Sequence, residues 1–133
     1  MTIAIGMMNE LRGDSALTAL VGARIWQEFA AQDAALPYIT FQRISQVTGL
    51  MLDGVDTLRT HRFQVDIFAA GIASANAVKA RVGQLLDSKS GTLGAVKIKF
   101  CYVDGEQDLS DLEGDKAIRR ISFQINIMAH EVY

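Results

Sequence analysis

The chain has 133 residues, 50% of them hydrophobic and 21% charged, with one proline and one cysteine. That is enough for one domain with a sizeable core, too little for a multi-domain machine, and it leaves no internal disulfide. Thirteen basic against fifteen acidic residues give a formal charge of −2, with no lysine–arginine cluster to grip a phosphate backbone, which argues against autonomous nucleic-acid binding.

Ile3, Met7 and Leu11 recur at helical spacing after Thr2, which predicts a short amphipathic helix ending at Gly13. Ser15 is the expected cap of a second small helix, whose Leu17, Leu20 and Val21 share a face and whose end falls at Gly22, a position suited to positive φ. A brief extended piece at Arg24 to Trp26 and a surface connection from Glu28 to Ala35 lead to Pro37 and a strand from Tyr38 to Ser45. The segment from Gln46 to Asp56, with Gly49 and Gly54, reads as a loop.

The clearest strand is Leu58 to Ala69, where His61, Phe63, Val65, Ile67 and Ala69 alternate with Arg62, Gln64, Asp66 and Phe68. Gly71 breaks it. Ser74 is the expected cap of the main helix, whose Ala75, Val78, Val82, Leu85 and Leu86 form one apolar face ending near Asp87. Ser88 to Gly94 reads as a loop. Val96 to Val103 alternates again, with Ile98, Phe100 and Tyr102 opposite Lys97, Lys99 and Cys101, and the closing strand runs from Ala117 to Ala129.

Cleanly alternating strands are half-buried, so the expected fold is α+β: a mainly antiparallel four-stranded sheet with helices packed on one face, in the order α-α-β-β-α-β-β. No linker, repeat or low-complexity segment interrupts residues 1–133, which read as a single domain. The face away from the helices would carry Thr40, Gln42, Arg62, Gln64, Asp66, Lys97, Lys99, Ser122, Gln124 and Asn126. Such a face is either open to solvent or the contact surface of a wet, reversible assembly.

Chemistry is hard to find. His61 and His130 sit with no cysteine or carboxylate at metal-ligand spacing, and His61, on the apolar side of its strand, reads as a core residue rather than a base. Cys101 has no evident base to activate it. The acidic segment Asp104 to Asp115 invites a calcium-loop reading, but the sixth and twelfth positions hold Leu109 and Asp115 where glycine and glutamate are needed. It reads as a solvated connection or as an electrostatic contact for a basic partner. Phosphate-loop and nucleophile-elbow motifs are absent. Trp26 and Phe29 are core residues or aromatic anchors for a partner, and Arg119 and Arg120 mark an edge, a bulge or a solvated strand end. The N-terminus has no signal-peptide pattern and no apolar run could span a membrane, so the chain is expected in the cytoplasm when made, without catalytic residues, cofactor or metal.

Several segments in this order are familiar: Asp14 to Gly22, Arg24-Ile-Trp26, Ala35-Leu-Pro-Tyr-Ile-Thr-Phe41, Arg62-Phe-Gln-Val-Asp-Ile-Phe68 and the alanine-rich helix from Ala73 to Leu86. Together they resemble the tail-completion proteins of long-tailed bacteriophages and prophages. The resemblance implies a tail terminator without enzymatic activity, assembled in the host cytoplasm and located in the virion. Six copies would form a ring on the head-proximal end of the tail tube, touching the major tail tube protein on one side and a head-side connector on the other, with DNA only passing through the lumen and no membrane involved. Contacts in such an assembly are expected from Gly49, Leu50, Met51 and Asp53 in the first loop, from Asp104, Glu106, Asp108 and Asp111 in the acidic segment, and from Arg119 and Arg120. The competing readings are a head-closure or neck protein and, in a different class, a small ligand-binding or enzymatic α+β domain with its pocket on the polar sheet face.

Overall fold

The computed structural model describes the backbone of residues 2–51, 54–109, 111–113 and 116–130, and the side chains within 3–46, 59–109 and 118–129. Chain order is α1 (Thr2–Arg12), α2 (Ser15–Val21), β1 (Ile25–Gln27), β2 (Tyr38–Met51), β3 (Gly54–Ala69), α3 (Ile72–Leu86), β4 (Lys89–Leu93), β5 (Val96–Asp108), β6 (Asp111–Glu113) and β7 (Lys116–His130).

The sheet corrects the expected fold. It is mixed and runs β1-β2-β3-β7-β5-β4, with β6 paired to β7 beside this path, rather than being four-stranded and antiparallel. β1 lies parallel to β2, with Ile25 opposite Ile39, and β4 adds an antiparallel edge to β5. Both added strands are short, and Lys89-Ser-Gly-Thr-Leu93 buries only Leu93, so no period of two announces it; the open edge of β5 supplies its hydrogen bonds. Of the Gln46–Asp56 segment, expected as a loop, residues 46–51 and 54–56 instead continue β2 and β3 as paired strands, Leu50 with Val55 and Met51 with Gly54. Likewise β5 runs on to Asp108, and β6 takes up part of the acidic segment.

The caps also differ from expectation. Asp14, not Ser15, caps α2, accepting a hydrogen bond from the Leu17 N–H at 2.8 Å, and Arg81 from α3 holds the same carboxylate at 2.6 and 2.7 Å. α3 begins after Gly71 with no side-chain cap, so Ser74 lies inside the helix. At the end of α2, Gly22 has φ +61 and donates to the Thr18 carbonyl, as its position suggested.

One apolar layer lies between sheet and helices. Phe41, Phe63, Val65, Ile67, Ile125 and Ile127 meet Met7 and Leu11 of α1, Leu17 and Val21 of α2, and Val78, Val82 and Leu86 of α3, all essentially fully buried. Each such side chain contributes about 1.5–3 kcal/mol. α1 sits against the β4–β5 turn through two glycines. A Cβ on Gly6 would stand 2.6 Å from the Leu93 carbonyl oxygen, and one on Gly94, at φ +52, would meet the Gly6 carbonyl and the Glu10 amide. Glu10 closes this contact by accepting from the Gly94 N–H and pairing with Lys89, each at 3.2 Å.

β5 departs from the expected alternation. Gly91 faces Ile98 but Lys89 faces Cys101, so β5 carries one extra residue between them, and a second extra residue separates Val103 from Gly105. Each bulge reverses which side the following residues face. Ile98 and Cys101 are therefore both buried in the core, while Phe100 and Tyr102, opposite Met128 and Asn126, stand on the other face. This overturns the placement of Cys101 beside the lysines.

Candidate assembly surface

The face away from the helices is built by period two in β2, β3 and β7, whose residues stand opposite one another in rows such as Gln42–Gln64–Gln124 and Thr40–Asp66–Ser122. It is closed to solvent only in part: Thr40, Asp66, Ser122 and Asn126 are buried, at 8% exposure or less, while Gln42, Arg62 and Gln124 are exposed. Asp66 accepts from Gln64 Nε2 at 3.0 and 3.1 Å and from Arg120 Nη2 at 3.1 Å, and Asn126 Nδ2 donates to the Tyr102 hydroxyl at 3.0 Å. Neighbouring side chains thus satisfy Asp66 and Asn126 where water would otherwise do so, whereas the buried Arg120 Nε has no hydrogen-bond partner.

At one end of this face aromatic side chains form a ladder across three strands, continued on a fourth by an arginine. Trp26 of β1 meets Tyr38 edge-on with centroids 5.8 Å apart, Tyr38 stacks on Phe68 at 4.7 Å, and the Arg120 guanidinium lies 5.4 Å from the Phe68 centroid. Sequence reasoning did not assemble this ladder. The signal was Phe68, an aromatic residue among the polar positions of β3.

The ten expected contact residues are dispersed. Gly49, Leu50 and Met51 lie in the far part of β2 and Asp111 in β6, all with side chains outside the described residues, and Asp53 lies wholly outside them. Asp104 is exposed at the second β5 bulge, and Glu106 turns toward α3, pairing with Lys79 at 2.9 Å. Asp108 and Arg119 do converge, on the rim of a recess of about 330 Å³ floored by Ala75 and Ile121 and flanked by Ile72 and Asn76 in the first turns of α3; Arg120 also lines it, but its guanidinium lies on the other face of the sheet with Asp66 and Phe68. An apolar floor with a charged rim is the anatomy of a protein-contact pocket. A second recess of about 500 Å³ lies under the Ala31–Leu36 segment, beside Tyr38 and Ile118.

Phe29 is 81% exposed, which overturns a core role for it, whereas Trp26 is half-buried in the ladder. His61 is fully buried in the apolar layer. Burial pushes the Cys101 thiol up to about 12, Lys89 opposing this only in part, so the cysteine is held in its unreactive form. Among the described residues, no three His, Cys, Asp or Glu side chains gather as metal ligands do, and no helix is long and apolar enough to cross a membrane.

What the fold and this surface define is a small module of one mixed sheet covered by helices on one side, whose organised features are a partly buried polar face, an aromatic ladder and a recess rimmed by Asp108 and Arg119. The sequence profile of the family described as tail completion protein gp17 matches residues 6–130, and the chain belongs to that family of bacteriophage tail structural proteins. Its fold is similar to that of a chain in the virion of a native gene transfer agent particle, with a TM-score of 0.77 at 20% identity over 94% of this chain and 92% of the other. A second solved chain is similar with a TM-score of 0.59 at 15% identity, over 99% of this chain and 95% of its own. No curated protein matches the chain significantly.

Proposed function

We propose that the chain is a tail terminator: a structural protein that caps the head-proximal end of the phage tail tube as a ring of six copies, stops tube polymerisation and presents the surface that joins the head. The observation that carries this reading is the family match over residues 6–130, which spans nearly the whole domain rather than one motif. The likeness in fold to a chain of a gene transfer agent virion supports it. So does the near-neutral balance of thirteen basic and fifteen acidic residues, because DNA must slide through the lumen of such a ring without being held. The mechanism is steric. Each copy binds its neighbours head to tail until rotation closes the ring, and the ring covers the last tube layer while offering no site for another.

On this reading the rim residues Asp108 and Arg119, together with Arg120, Asp104, Glu106, Asp111, Asp53 and the Gly49–Met51 end of the β2–β3 hairpin, serve contacts between copies or with the tube and the head-side connector. Electron microscopy of a lysate from the parent phage or prophage with this gene inactivated tests the function. Overlong headless tubes beside DNA-filled heads are expected. Tails of normal length that fail to join heads would move the protein to the neck, and fully infectious particles would remove it from tail completion altogether.

A further inference from the structure

The two margins of the sheet are finished differently. At β1 the Ile39 N–H donates to the Arg24 carbonyl and the Glu28 N–H to the Phe41 carbonyl, so the peptide groups of Ile25 and Gln27 point away from β2. Both of these outward carbonyls are taken within the chain, by Arg12 Nη2 at 2.6 Å and by the Phe29 N–H at 2.9 Å. β1 covers only Ile39–Phe41 of β2, however, and β2 runs on to Met51 with no other strand on that side among the described residues. Residues 45–51, Ser-Gln-Val-Thr-Gly-Leu-Met, contain neither charge nor proline, the usual guards of an open edge.

β4 forms the opposite margin. Its Ser90, Gly91 and Thr92 are exposed, again without charge or proline. Leu93 and Val96 close the turn to β5, so by the alternation of an antiparallel pair the Thr92 N–H and carbonyl face away from β5. The two open edges lie at one height. Val47 stands opposite Thr60, Thr60 opposite Met128 and Met128 opposite Phe100, which belongs to the bulge facing Ser90. They also run the same way, because four antiparallel pairings separate β2 from β4. Within one chain three strands hold these edges apart. Copies turned about an axis running with the strands bring them together, and a closed ring leaves neither edge open.

We infer that β4 of one copy pairs in parallel with residues 45–51 of β2 of the next copy, making the sheets of neighbouring copies continuous. Two short strands then share one side of β2: its own β1 over Ile39–Phe41 and the neighbour's β4 beyond it. Backbone hydrogen bonds carry the contact, which is why neither edge needs charge or a large apolar side chain. This inference rests on the ring reading above.

The test uses tails made by the parent phage or prophage with chains carrying Val47→Cys and Ser90→Cys, singly and together. The two positions share one row of the register, and the native Cys101 is buried. After mild oxidation, a non-reducing gel of the double variant shows a ladder of multimers, while each single variant stays monomeric. A dimer from Ser90→Cys alone would mean that β4 meets its own equivalent, and overturns the inference. Rings seen by microscopy without any ladder would also overturn it while leaving the ring reading intact. Absence of rings from the native chain would remove both. In parallel, Thr92→Pro removes the outward N–H without touching a bond to β5 and should weaken association between copies at least about tenfold, as an unmade backbone hydrogen bond does. Thr92→Lys keeps every bond of the fold, guards the same edge with a charge and should do likewise, with the unfolding of the dilute chain unchanged. Native association of the folded Thr92→Lys chain would overturn the pairing.

Discussion

Gly94 offers a quantitative test of how α1 is docked. Its φ of +52 places it in the left-handed region, and an added Cβ would meet the Gly6 carbonyl, the Asn9 Cβ and the Glu10 amide. Alanine at 94 therefore suffers twice. The left-handed backbone costs about 1–2 kcal/mol for a residue with a Cβ, and forcing apart a packed contact costs about 1–3 kcal/mol more. A destabilisation of about 3 kcal/mol lowers the melting temperature of a domain this size by roughly 10 °C. Gly91 is the internal control: its φ is +90 but no atom lies within 4 Å of the added Cβ, so Gly91→Ala should lose only about 1–2 kcal/mol. Gly6→Ala completes the set. Within α1, alanine is favoured over glycine by about 1 kcal/mol, so any net loss there reports the encounter with the Leu93 carbonyl at 2.6 Å. Urea unfolding followed by Trp26 fluorescence measures all three. If Gly94→Ala and Gly91→Ala proved equally destabilising, close docking of α1 on the β4–β5 turn would be refuted.

Asp14→Ala should cost about 1 kcal/mol through loss of the α2 cap, with Asp14→Ser recovering most of it in the same unfolding assay. The hydrogen bond from Arg81 holds the Asp14 carboxyl below its ordinary value of 3.8, so its contribution is complete above that pH and is lost as pH falls through the lower folded value; the stability gap between the native chain and Asp14→Asn should accordingly shrink on acidification, and a constant gap would contradict it. Cys101, with its thiol near 12, should resist thiol reagents at pH about 8 in the folded chain and react at once in urea, and rapid native labelling would show that it is not buried. Arg120→Ala leaves the buried Asp66 carboxylate with Gln64 as its remaining side-chain donor and should destabilise by about 1–3 kcal/mol, Arg120→Lys restoring part of the loss.

Long amphipathic patterns were legible in the sequence, and short or reversed ones were not. The inward positions of β3 and the apolar face of α3 follow directly from periods of two and of 3.6 residues, because burial against a core selects residue type at every turn of the pattern. β1 and β4 escaped the strand count because three and five residues are too few to show a period, and their places depend on edges presented by β2 and β5. The bulges in β5 inverted the reading of Cys101, Phe100 and Tyr102, since an added residue leaves no mark on composition. At the surface, acidity and the arginine pair drew attention to Asp108, Arg119 and Arg120 separately. That Asp108 and Arg119 meet at one recess depends on where α3 begins after Gly71, which no local pattern encodes. Family resemblance succeeded where local chemistry was silent, since it draws on spacing along the whole chain.

The paired bulges of β5 make that strand behave like a message carrying two frameshifts. Ile98 faces the core, the first extra residue moves the inward register to Cys101 and Val103, and the second returns Glu106 to the helix side, opposite Phe123. Only the few residues between the two insertions are read in the altered frame. Deleting Lys99 would therefore remove the first bulge and restore strict alternation, with Cys101 still facing the core, Tyr102 still on the other face and the strand beyond Gly105 unchanged. Relatives of this chain are thus free to lose the extra residue at either bulge without turning a neighbouring side chain over, whereas a residue lost elsewhere between Ile98 and Glu106 would need a compensating change.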